Sequence, residues 1–258
     1  MSKQNTLTTS DVVPGNSLFD QIEARGTIRF AVYDVDYGNP PEMYRDRETG
    51  QQTGVAIELC RIMAKDLGVE PEWVELPWEE QLPALLDGRA DLCIKHTNTP
   101  ERALSVEFAG RLMRLDVVLM VRQDSSIKTL AGLNRAGVIV AHETGSSIAD
   151  VLRRRFPLAT LIGLEQEQAM LQVVSGEVNT FAGDTPVPLF VRKHPEVMLL
   201  EDHQGQPVVI SREYGHPCIR PGDPRFLNWL NNWVDYYTAQ GLVEELWDKY
   251  MQEWLEIG

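Results

Sequence analysis

The chain has 258 residues, 43% of them hydrophobic and 24% charged, the composition of a globular protein with a sizeable core and not of a disordered or disulfide-stapled one. Its 24 Lys and Arg against 38 Asp and Glu leave a net charge of −14, which repels phosphate backbones and argues against nucleic acid as a partner. No apolar run approaches the roughly 18–20 residues of a bilayer-crossing helix, so no membrane span is expected.

Residues 1–17 form a polar leader, expected to be disordered, without the basic start and apolar centre of a secretory signal. The expected location is periplasmic if a signal was removed and cytoplasmic otherwise. A strand is predicted over 27–33. The turn-rich stretch Tyr37-Gly38-Asn39-Pro40-Pro41 follows, where two prolines remove donors and Gly38 breaks either period. Apolar residues at spacings of three and four predict a helix over 55–67, stopped by Gly68 as a left-handed C-terminal residue. Strand, helix and strand recur at 72–76, 79–86 and 90–94, a βαβαβ series that builds a parallel-type sheet flanked by helices.

A second series reads as strands at 116–122, 138–141, 160–162 and 180–182, with helices at 146–155, 166–174 and 185–191. A strand at 214–219 precedes amphipathic helices at 224–239 and 242–254, broken at Gly241. Two α/β series in one chain predict two lobes.

Cys60, Cys93 and Cys218 are odd in number and lack paired spacing, and they read as packing residues. The five histidines show no i, i+4 ligand spacing. The phosphate loop, nucleophile elbow, HExxH and GxGxxG patterns are missing, so neither metal nor cofactor is expected and no catalytic residue is assigned.

Three places where a strand ends stand out. Thr99-Pro100 with Arg102 reads as an N-cap, a proline at the first helical position and a guanidinium fork suited to a carboxylate, or as a plain helix start with a solvated arginine. Gly145-Ser146-Ser147 opens the next helix with a close-approach glycine and two hydroxyls that either cap it or donate to a bound oxygen. Asp184 follows a strand and precedes a helix, where it caps the helix or receives an ammonium group. Together they fit the head group of a free amino acid.

From about Leu18 to Trp254 the chain resembles the bacterial amino-acid-binding proteins that serve ABC importers, solute-binding protein family 3. The resemblance is carried by Pro40-Pro41 with Tyr44-Arg45-Asp46, Gly54-Val55-Ala56-Ile57-Glu58-Leu59, Pro83-Ala84-Leu85-Leu86-Asp87-Gly88-Arg89-Ala90-Asp91, Thr99-Pro100-Glu101-Arg102-Ala103, Gly145-Ser146-Ser147, Ser175-Gly176-Glu177-Val178 and Asp184-Thr185-Pro186. It implies a two-lobed α/β fold of the type II periplasmic-binding-protein class, with mixed sheets flanked by helices and a ligand cleft between the lobes. Lobe 1 would comprise residues 18–115 plus 213–258 and lobe 2 residues 116–212, closing by a hinge at crossovers near 112–117 and 210–216. The implied partners are a free amino acid or related small carboxylate and an ABC permease, with the protein a monomer.

By the same resemblance Arg102 and Thr97 hold the ligand carboxylate from lobe 1, and Ser146 and Ser147 hold it from lobe 2. Asp184 takes the α-amino group, and Trp78 sets an aromatic ring against the ligand. Tyr37 and Glu42, on either side of the two prolines, complete the candidate set. Lys95 and His96 stand where family members usually carry small residues. Lys95 and His96 would favour an acidic ligand, Asp34 and Glu42 a cationic one, and the sequence leaves both open.

Two alternatives share the fold. One is a lyase or dehydratase-like enzyme, with Lys95, His96 or Glu143 as acid or base. Cyclohexadienyl dehydratase, which resembles these binding proteins, has its proton-donating glutamate at the position that is Val187 here, and an alkyl side chain cannot donate. The other is a ligand-sensing domain.

Overall fold

The computed structural model describes residues 17–33, 40–46 and 48–257, with side chains as far as Glu253. α1 (Leu18–Arg25) opens at Ser17, whose hydroxyl accepts from the Phe19 N–H, and stops at the left-handed Gly26. The expected leader lies outside the described residues except for Ser17, which belongs to this cap and not to a disordered leader. β1 (Thr27–Tyr33), β2 (Tyr44–Arg45), β3 (Gln52–Thr53), α2 (Val55–Leu67), β4 (Glu70–Leu76), α3 (Gln81–Leu86) and β5 (Leu92–Thr97) follow. A 3-10 turn at Trp78–Glu80 leads into α3. α2 runs over the predicted residues because its apolar stripe, Val55, Ala56, Ile57, Leu59, Cys60, Met63 and Ala64, is buried on one side and Gly68 adopts the left-handed conformation.

The expected helix at Thr99-Pro100 is only a 3-10 turn over Arg102–Leu104. Thr99 Oγ1 does accept from the Arg102 N–H at 3.2 Å, but Leu104 is 88% exposed. Without an apolar stripe to bury, a first turn does not propagate.

The chain continues through β6 (Glu107–Phe108), β7 (Met113–Arg122), α4 (Leu130–Leu133), β8 (Ile139–Glu143), α5 (Ile148–Arg155), β9 (Thr160–Leu164), α6 (Gln166–Ser175) and β10 (Thr180–Gly183). It ends with α7 (Pro186–Lys193), β11 (Val197–Leu199), β12 (Ser211–Ile219), α8 (Pro224–Ala239) and α9 (Leu242–Ile257).

One ten-stranded sheet runs β4-β1-β5-β12-β7-β10-β8-β9, with β6 beside β12 and β11 beside β7. Its two ends, β4-β1-β5 and β10-β8-β9, are parallel, as short crossovers through helices require. The middle is antiparallel: β7 residues 113–117 pair with β12 residues 211–215. From there β12 continues along β5 and β7 along β10. These two strands are the ones that pass between the halves of the sheet.

Each half has its own core. In the first, Ile28, Phe30, Ile57, Leu59 and Met63 pack with Phe226, Leu230, Trp233, Val243 and Tyr250 of α8 and α9. In the second, β7 sends Val117, Leu119 and Val121 to one face and Val118 and Met120 to the other, the period-two alternation of a strand covered on both sides. Cys60, Cys93 and Cys218 are free thiols buried in packing positions.

Candidate functional site

The loop after β1 carries Glu42 to the gap between the halves. It is held by the start of α2: Val55 N–H donates to the Pro41 carbonyl at 3.0 Å and Ala56 N–H to the Glu42 carbonyl at 2.8 Å. Gly54 allows this approach, since at φ +112 a Cβ there would lie 2.6 Å from the Glu42 carbonyl oxygen. Glu42 is fully buried. Its carboxylate forms an ion pair with Lys95 Nζ and accepts from the Thr185 hydroxyl of the other half. Burial lowers the Lys95 pKa, while Asp184 and Glu143 oppose that effect. The two open signals, an acidic and a basic one, thus neutralise each other. Asp34 and Tyr37 lie outside the described residues.

Trp78 and His96 stand beside this pair. Their rings stack at 4.0 Å between centroids, and Tyr33 stacks on Trp78 at 5.7 Å. Both of these stacking partners of Trp78 are rings of the protein itself. His96 is buried, with Nε2 3.1 Å from Gln81 Oε1. Burial first, then Arg102 and Lys95, pushes its pKa well below the ordinary value, so the imidazole is neutral. It backs Trp78 and does not line the central cavity.

The opposite wall is acidic. Glu143, at the end of β8, accepts from the Tyr33 hydroxyl at 2.9 Å. Burial pushes its carboxyl up to about 8; the Tyr33 bond opposes this, Asp184 adds to it and Lys95 opposes it. Asp184, at the end of β10, is also raised, by burial first, with Lys95 lowering and Glu213 raising it. Glu213, on β12, accepts at one oxygen from both the Thr97 hydroxyl at 2.8 Å and the Ser147 hydroxyl at 2.6 Å. Ser147 therefore donates to a carboxylate and makes no side-chain cap for α5. The Ser146 hydroxyl, also buried, has no partner among the described residues.

Arg102 is placed differently from the fork-to-carboxylate expectation. Its guanidinium donates to the backbone carbonyls of Thr97 at 3.0 Å and, across the gap, Gly145 at 2.7 Å. Gly145 has φ +76, and a Cβ there would meet the Glu79 Cβ at 3.1 Å, so this glycine lets the halves touch. Arg102 faces an outer cleft of about 840 Å³ that it shares with Thr99, His142 and Arg153.

Between the walls lies a cavity of about 30 Å³ lined by Tyr33, Trp78, Lys95, Ser146, Asp184 and Glu213, among others. That is room for about one water molecule. Of the sequence candidates, Thr97, Asp184, Ser146, Ser147, Trp78 and Lys95 line this cavity, whereas Arg102, His96 and Glu42 stand around it. Tyr33, Glu143 and Glu213 were not among the candidates. The predicted strand began at Tyr214, which left Glu213 in a loop. Glu143 stood out only as an acid or base of the enzyme alternative.

Chemically, the cavity offers three carboxyl groups, a set of hydroxyls and a lysine already paired with Glu42. Among the described residues no group of three or more His, Cys, Asp or Glu has the geometry of a metal site, and no helix is long and apolar enough to cross a membrane.

Known proteins share this fold. The chain is 31% identical to the ancestral amino acid-binding protein AncCDT-1, a precursor of cyclohexadienyl dehydratase, over 91% of this chain and 99% of that one, with a TM-score of 0.78. AncCDT-1 is also described as an ancestral cationic amino acid solute binding protein. A putative binding component of an ABC transporter from Wolinella succinogenes, complexed with lysine, is 25% identical over 90% of this chain and 99% of that chain, with a TM-score of 0.78. The L-arginine-binding protein of Pseudomonas aeruginosa is 23% identical, covering 78% of this chain and 80% of that protein. The mixed α/β fold with its two sheet halves is the type II periplasmic-binding-protein fold of these neighbours. The model of the bacterial extracellular solute-binding proteins, family 3, matches residues 32–253, nearly the whole described chain, and the protein belongs to that family.

Proposed function

We propose that the protein is the amino-acid-binding component of an ABC importer and that its ligand is a cationic amino acid. The observation that carries the cationic assignment is the charge of the cavity wall. Glu143, Asp184 and Glu213 face the gap, while the lysine that would balance them is paired with Glu42. A ligand cation meets Asp184 and Glu143 there; burial disfavours their charged forms while nothing balances them, and a cation placed between them restores that balance and draws off the proton of Glu143. The lysine complex of the Wolinella protein and the name of the Pseudomonas relative support the same class.

In this reading Asp184 takes the α-ammonium group, and Glu143 with Tyr33 takes the side-chain cation. Thr97, Ser146 and Ser147 hold the carboxylate, joined by Arg102 once its bond to Gly145 is released. Residues 18–115 plus 213–258 and residues 116–212 act as two lobes, and β7 and β12 are the hinge between them. The protein works outside the cytoplasm as a monomer that delivers its ligand to a permease.

Calorimetry against the twenty amino acids tests this. Arginine, lysine or histidine gives the tightest binding, and Asp184→Asn weakens it about 100-fold or more, as loss of a buried charge-assisted bond requires. Heat from neutral or acidic amino acids alone would overturn the cationic assignment. A second reading, a lyase on the same fold, draws on the protonated Glu143 as a buried acid. Recovery of every bound amino acid with unchanged mass refutes it.

A further inference from the structure

Glu213 lies on β12, where that strand passes between the two halves, paired in register with Leu115 of β7. One oxygen of its carboxylate receives Thr97 Oγ1 from the first half and Ser147 Oγ from the second. Its other oxygen is 3.4 Å from the Ser211 hydroxyl. A carboxylate gripped by hydroxyls from both sides of a gap has the bonding of a bound ligand, but it belongs to the chain itself. Thr97 and Ser147 are the hydroxyls that the proposed function gives to the ligand's carboxylate.

We propose that Glu213 is a specificity-determining residue that holds the carboxylate position of the site and must be displaced by the ligand's own carboxylate. The inference rests on the amino-acid reading of the site. Two full charges of the same sign cannot share the Thr97 and Ser147 hydroxyls, since each hydroxyl has one proton to donate. Entry of an amino acid therefore breaks both Glu213 bonds, while an amine of the same length without a carboxylate leaves them in place. Glu213 thus lowers affinity for amino acids relative to their decarboxylated counterparts, and it joins the two halves when no ligand is present. Arg102 makes no hydrogen bond or ion pair with this carboxylate among the described residues; its guanidinium donates to the Thr97 and Gly145 carbonyls.

The test compares wild type with Glu213→Gln, which keeps the shape and removes the charge, using arginine with agmatine and lysine with cadaverine as probe pairs. Glu213→Gln is expected to raise the affinity of each amino acid relative to its amine about tenfold or more. An equal change within each pair, or a larger loss for the amino acid than for its amine, overturns the proposal. A second measurement needs no ligand and stands even if wild type binds no cationic amino acid, the result that would defeat the functional reading alone. Small-angle scattering of the ligand-free protein is expected to give a larger radius of gyration for Glu213→Ala than for wild type. Identical radii would show that Glu213 does not join the halves.

Discussion

Glu143 offers the sharpest test of the site's electrostatics. Its carboxyl titrates near 8 in the fold against an ordinary 4.5, so between those values the folded protein holds a proton that the unfolded chain has lost. Folding stability is therefore fully present below about 4.5 and falls as pH rises toward 8. At about 1.4 kcal/mol per pH unit, and allowing for the part of Glu143 that remains in contact with solvent, the ligand-free protein should lose about 3 kcal/mol between pH 5 and pH 8. Glu143→Gln is the matched perturbation. The amide resembles the protonated acid, still accepts the Tyr33 hydroxyl and has nothing to titrate. Urea unfolding of both proteins without ligand should show the variant within about 1 kcal/mol of wild type at pH 5 and about 3 kcal/mol more stable at pH 8. Asp184, raised in the same direction, leaves the variant a shallower slope of the same sign. Parallel pH profiles for the two proteins would refute the argument, since they would place the proton loss elsewhere.

Two further substitutions test what holds the site in position. Gly54→Ala puts a Cβ against the Glu42 and Pro41 carbonyls at a positive φ and should cost about 2 kcal/mol or more, read as a lower urea midpoint, while no loss would mean that the loop yields freely. Asp91, fully buried, pairs with Arg25 and Arg29 and accepts from the Arg29 N–H at 2.8 Å; Asp91→Asn should lower stability by about 2 to 4 kcal/mol in thermal unfolding, and a change under about 0.5 kcal/mol would mean that the cluster contributes little.

The elements legible in the sequence were those in which local pattern and tertiary burial agree. β1, α2 and α8 fall where period and punctuation put them, because their apolar residues face one core and Gly68 supplies the left-handed stop. Strand ends were harder to read: β5 runs on to Thr97 and β12 starts at Ser211, since polar residues join a ladder when a neighbour strand is there to bond. The Thr99-Pro100 signal failed for the converse reason, a start of helix with no apolar stripe behind it. The short hairpin of β2 and β3, and α4, carry too few residues for any period to register.

The sequence by itself determined the α/β class, the division into two series, the family and six residues of the cavity lining, because motifs at strand ends are local and survive in order along the chain. Tertiary structure alone decided how the charges are matched. Lys95 and Glu42 lie 53 positions apart, and Glu213 meets Thr97 and Ser147 across separations of 116 and 66. Pairing of that kind depends on which side chains the closed halves bring within bonding distance. Spacing along the chain does not encode it, which is why the sequence left the acidic and basic signals open and the fold made them partners.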